Sequence, residues 1–162
     1  MPNYSRHLVP SSTSILRPSL IYGDRTRTQK QYICHVEIQN RRHDFIAFST
    51  IAFLESITIP PKQTVSPDAS YLKRAGQDRG YERTILPGDS AKFDAFAIDD
   101  QPKHDKVYLH SMQDLTPRRP IIQRTGKYLL HYRVASQGLP VSEFDIVLDI
   151  TGNINTTTTQ IL

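Results

Sequence analysis

Most of the chain alternates between apolar and polar positions. Tyr32, Cys34, Val36 and Ile38 are interleaved with His35, Glu37 and Gln39. Tyr128, Leu130, Tyr132 and Val134 alternate with Lys127, His131 and Arg133, and Phe144, Ile146, Leu148 and Ile150 with Asp145 and Asp149. A period of two puts one set of side chains on a core and the other in water, the pattern of half-buried β-strands. Gln137-Gly138-Leu139-Pro140 separates the last two runs and predicts an antiparallel hairpin. Leu86-Pro87-Gly88-Asp89 is a second turn signal, between 81–85 and 91–98. The pattern predicts strands over 20–22, 31–39, 45–55, 81–85, 91–98, 127–135 and 143–151, with 107–112 as a further short candidate. The segment 45–59 is β-branched and aromatic but also fits a helical period at Phe48, Ile51, Ala52 and Glu55. It is read as a strand that bends or breaks near Glu55.

Three zones follow. Residues 1–18, rich in Ser, Pro and Arg, predict a flexible N-terminal arm. Residues 19–152 predict one folded domain. Residues 153–162, with the threonine run 156–159, predict a flexible C-terminal tail. At 162 residues the chain is long enough for one real core. It has no run of about 18 apolar residues, so no membrane span is expected. The opening residues lack the apolar core of a signal peptide, so with Met1 as the native start a cytoplasmic location is expected. The single cysteine, Cys34, agrees, since it excludes an internal disulfide and any zinc site built on two or more cysteines.

A local pattern narrows the fold class. Gly126-Lys127-Tyr128-Leu129-Leu130 resembles the G-x-Y-x-C stretch that opens the F strand of immunoglobulin-like domains. The resemblance implies an all-β, antiparallel sandwich of seven to eight strands with flexible termini. It also implies that Tyr128 forms the tyrosine corner, its hydroxyl bonded to nearby backbone. Leu130 stands at the position of the family's second disulfide cysteine and Cys34 roughly at the first, so apolar packing replaces the bridge. The family's core tryptophan is missing, and Arg124 stands where many members have aspartate. The resemblance implies a fold and no activity.

Catalytic and metal chemistry have little to stand on. There is no G-x-S-x-G elbow, P-loop, G-x-G-x-x-G or H-E-x-x-H. Cys34 is expected to be a buried, inert thiol, with His35 pointing to the opposite face of the strand. No two of the six histidines have the spacing of a local metal site. A His35–His131 pair across neighbouring outer surfaces is the one arrangement weighed. Asp94, Asp99, Asp100 and Asp105 form an acidic stretch, but Lys103 and Lys106 interrupt it and no glycine-containing loop signature accompanies it. No enzyme activity, cofactor or metal is expected.

Loop lengths give the functional expectation. With strands alternating in direction, the long connections 23–30, 56–80 and 99–126 meet at one end and the short ones at the other. The long-loop end collects Arg25, Arg27, Lys73, Arg74, Arg79, Arg118, Arg119 and Arg124, together with Tyr71. Aspartates share these loops, so the positive bias is modest, in keeping with a net charge of +4. Arginine beside tyrosine suits protein contacts or phosphate groups. These residues predict a non-catalytic module that binds another protein. A self-assembling, coat-like sandwich and nucleic-acid or nucleotide binding at the same end are the alternatives.

Overall fold

A computed structural model of the chain describes residues 8–22, 28–59, 63–65, 82–99, 103–108 and 120–162. The described residues form ten strands: β1 (Leu8–Tyr22), β2 (Thr28–Asn40), β3 (Ala47–Ile59), β4 (Gln63–Val65), β5 (Arg83–Ile85), β6 (Ser90–Asp99), β7 (Val107–Tyr108), β8 (Gly126–Gln137), β9 (Leu139–Ile150) and β10 (Thr158–Ile161). They contain no helix, and so none long and apolar enough to cross a membrane. Every pairing is antiparallel. One sheet runs β1-β2-β6-β7; the other runs β10-β9-β8-β3-β4, with β5 also on β3.

The alternating positions bury one core between the sheets. Cys34, Val36 and Ile38 of β2 and Phe93, Phe96 and Ile98 of β6 face Ala52, Leu54 and Ile57 of β3. Leu130, Tyr132 and Val134 of β8 and Phe144, Ile146, Leu148 and Ile150 of β9 complete it. Tyr132 stacks on Phe144, with centroids 5.2 Å apart and planes at 9°. Such pairs add about 0.5–1.5 kcal/mol beyond area burial.

Two bulges keep long strands on this core. In β6, Cys34 lies opposite Phe96 and His35 opposite Asp94, so Ala95 is the extra residue. In β3, Leu54 lies opposite Tyr132 and Ser56 opposite His131, so Glu55 is extra. Each bulge resets the phase of the alternation. Leu54 and Ile57, an odd step apart, therefore both face inward. The expected bend at Glu55 is this bulge, within one unbroken strand. The Tyr132 hydroxyl crosses the core and donates to the Ala95 carbonyl at 3.2 Å, linking one sheet to the bulge of the other.

The structure corrects several expectations. Residues 8–18 are not a free arm: β1 starts at Leu8 and pairs with β2 along its length. Ladder bonds come from the backbone, so the polar composition of this segment does not prevent pairing. Pro10 and Pro18 fall at register shifts of a sheet-edge strand, where proline is tolerated. The expected tail at 153–162 carries β10, which pairs with β9. The Asn153 carbonyl accepts from the backbone N–H of Thr156 and Thr157, and this turn returns the chain to β9. The expected strand at 107–112 is described only at Val107–Tyr108, as β7.

One end of the molecule is closed by tight turns. Asn40, fully buried, donates from Nδ2 to the carbonyls of Phe45 (2.8 Å) and Ile85 (3.1 Å) and accepts from the Arg42 amide at Oδ1 (3.0 Å). Its own backbone exchanges bonds with Asp89 and Gly88. This one side chain therefore ties the β2–β3 connection to β5. At the β8–β9 turn, Gly138 has φ +76°, and a Cβ there would lie 2.8 Å from Cζ of Phe45. Arg42 covers the same ring, its guanidinium carbon 5.6 Å from the centroid.

Two substitutions test this account by urea unfolding. Tyr132→Phe keeps the ring but removes the donor to Ala95, and is expected to cost about 1–3 kcal/mol. Gly138→Ala forces a Cβ into the left-handed region and against Phe45, and is expected to cost at least about 1–2 kcal/mol.

Candidate functional site

The outer face of the larger sheet carries a compact cluster of charged side chains. The β8–β9 register sets His131 opposite Asp145 and Arg133 opposite Glu143. The pairing of β3 with β8 adds Glu55: it follows Leu54, which lies opposite Tyr132, and so falls beside His131 on the outer face. The His131 Nδ1 lies 2.6 Å from Asp145 Oδ1. Its Nε2 lies 3.2 Å from Glu55 Oε2 and 3.9 Å from Glu143 Oε2. Arg133 holds the other oxygen of each glutamate: Nη1 is 3.3 Å from Glu55 Oε1 and Nε 3.3 Å from Glu143 Oε1.

The chemistry of this arrangement is constrained. An ionised carboxylate only accepts, so Nδ1 carries a proton and donates to Asp145. Nε2 then points at two further acceptors. A neutral imidazole would set its lone pair against carboxylate oxygens there. A cation between the three groups would be attracted by both carboxylates. Glu55, His131 and Glu143 each offer one ligand atom, all within 4.8 Å of one another. The side chains are partly exposed, with His131 at 29 % and Glu143 at 52 %, so solvent reaches the site.

The weighed His35–His131 pairing does not form. Strands β2 and β8 belong to different sheets, which puts the two rings on opposite outer faces. His35 instead places Nε2 2.9 Å from Oδ1 of Asp94 on the neighbouring strand. Of the acidic stretch, Asp94 lies opposite His35 in mid-strand, Asp99 is buried at the strand end, its amide donating to the Lys106 carbonyl, and Asp105 stands half-buried in the turn before Lys106. Asp100 lies outside the described residues. Cys34 is fully buried, and burial pushes its thiol up to about 12. Such a thiol is neither a nucleophile nor a ligand at neutral pH.

The strand register fixes where the connections leave. Tyr22 pairs with Thr28 and Gln31 with Asp99, so 23–27 and the segment after β6 leave from one end of the smaller sheet. Gly126 pairs with Ile150 at the same end of the larger sheet, tied across by the His104 amide donating to the Gly152 carbonyl at 3.3 Å. His104 Nδ1 in turn accepts from the Ile154 amide at 2.8 Å. The segment 66–81 is placed differently. It joins Val65, opposite Ile57, to Arg83, opposite Thr50, so it departs from and returns to the edge of β3. Of the residues singled out for partner binding, Arg124 is described. It is exposed, and its carbonyl accepts from the Tyr128 hydroxyl at 2.8 Å. Arg25, Arg27, Tyr71, Lys73, Arg74, Arg79, Arg118 and Arg119 lie outside the described residues.

Sequence reasoning missed the His131 cluster. Two of its pairs follow from centring the hairpin on Gly138, which sets 131 against 145 and 133 against 143. No protein-family model, curated protein or solved structure matches the chain.

The raised Cys34 pKa has a pH signature. The native thiol stays protonated where the unfolded one, near 9.0, ionises. Its contribution to stability is therefore complete below pH 9 and is lost as pH rises towards 12. Urea unfolding between pH 8 and 10 is expected to show falling stability above pH 9, and Cys34→Ala to flatten that fall. The native thiol should stay inert to an aromatic disulfide reagent at pH 8 and react once unfolded.

Proposed function

We propose that the chain is a non-catalytic binding module on an immunoglobulin-like sandwich, which engages another protein through the end from which the long connection between β6 and β8 emerges. The strand order supports the fold. In that family's lettering, β1, β2 and β6 correspond to A, B and E, while β9, β8 and β3 correspond to G, F and C. The family likewise separates A, B and E from C, F and G. The bond from the Tyr128 hydroxyl to the backbone four residues upstream matches its tyrosine corner.

The binding reading rests on the inequality of the two ends. One end is sealed by short turns knotted through Asn40 and Gly138. From the other emerge 23–27 and the connection over 100–125, which carry Arg25, Arg27, Arg118, Arg119 and Arg124. Loops on a rigid scaffold are where recognition concentrates. Their excess of arginine suits an acidic protein surface.

The test is co-purification with the intact chain, followed by direct binding of each protein identified. Charge reversal by Arg118→Glu, Arg119→Glu and Arg124→Glu together is expected to weaken a genuine partner by tenfold or more while leaving the melting temperature unchanged. A triple variant that keeps every partner at full affinity overturns the reading.

A further inference from the structure

The cluster on the outer face of the larger sheet lies away from the proposed binding end and stands independently of it. The geometry points to a site for one divalent transition cation, of which Zn2+ is the type, held by His131 Nε2, Glu55 Oε2 and Glu143 Oε2. Tetrahedral zinc with bonds of about 2.1 Å keeps its ligand atoms about 3.4 Å apart. The two separations from His131 Nε2, 3.2 and 3.9 Å, bracket that value, and no pair exceeds 4.8 Å.

The surrounding groups prepare the three ligands. Asp145 takes the Nδ1 proton and aims the Nε2 lone pair outward, the carboxylate–histidine arrangement found behind metal-bound imidazoles. Arg133 donates from Nη1 to Glu55 Oε1 and sets its Nε 3.3 Å from Glu143 Oε1, which leaves both Oε2 atoms turned towards Nε2. The donor set of one imidazole nitrogen and two carboxylate oxygens suits Zn2+ better than Mg2+ or Ca2+, which favour all-oxygen shells. Three protein ligands leave a fourth position for water or a donor from a bound molecule. A cation here would also stand between Nε2 and the two carboxylate oxygens that converge on it.

Calorimetric titration of the full, chelator-treated chain with ZnCl2 tests the site, with Mg2+ in large excess as competitor. One equivalent is expected to bind, unaffected by Mg2+. Asp145→Asn, which removes only the positioning group, should weaken binding by about 10–100-fold with unchanged stoichiometry. Loss of a direct ligand in Glu143→Gln should cost at least roughly tenfold, and His131→Gln should abolish the stoichiometric event. Glu143 is half exposed, so its variant should keep the wild-type melting curve, which makes it the decisive control. Absence of a stoichiometric event in the wild-type chain overturns the proposal. So does undiminished binding in a folded Glu143→Gln chain, which would leave the cluster as an ion-pair network around a protonated imidazole.

Discussion

The single bond from the Tyr132 hydroxyl to the Ala95 carbonyl couples the two sheets where the smaller one departs from regularity. A long strand that alternates strictly cannot follow a twisted core indefinitely, because its inward positions drift out of phase with the layer they fill. The bulge at Ala95 resets that phase, so that Phe93 and Phe96 both face inward. A bulge also disturbs the ladder, and a backbone carbonyl facing an apolar core needs a donor. Tyr132 supplies one from the opposite sheet while its ring stacks on Phe144. The bulge, the aromatic layer and the spacing of the sheets are therefore one constraint.

The second reset, at Glu55, can be followed on both faces of the larger sheet. Inside, it lets Leu54 and Ile57 share the core. Outside, Glu55 keeps the place beside His131 that the Leu54–Tyr132 pairing already sets, while Ser56 takes the ladder position opposite the ring. In the smaller sheet, Asp94 precedes the bulge residue and meets His35 across the ladder.

The physics of pairing decides what the sequence reveals. Strands β2, β8 and β9 are plain in it because each has one face buried and one wet, which forces alternation. Strand β1 is hidden because its residues show no period of two, and prolines stand at its irregular points. Strand β10 is hidden because four residues cannot display a period. The site divides in the same way. A hairpin centred on Gly138 makes His131–Asp145 and Arg133–Glu143 legible. Glu55 joins them through the pairing of β3 with β8, a long-range contact that no period announces. A His35–His131 pair requires their strands to be neighbours in one sheet, and sheet membership is a long-range property.

The cluster around His131 is poorly explained as a stabilising device. Exposed ion pairs contribute only about 0–1 kcal/mol each, and the groups here are partly exposed. Set against that gain is the repulsion among three carboxylates with a single guanidinium between them. A surface selected only for stability would place lysine or threonine at one of these positions. Here the oxygen atoms not held by Arg133 converge on one nitrogen. That nitrogen's orientation is fixed from behind by Asp145, and all five side chains stand on strands whose opposite faces are locked into the core. Such rigidity limits relaxation, so the electrostatic cost persists in the folded chain until a positive charge enters between the ring and the two glutamates.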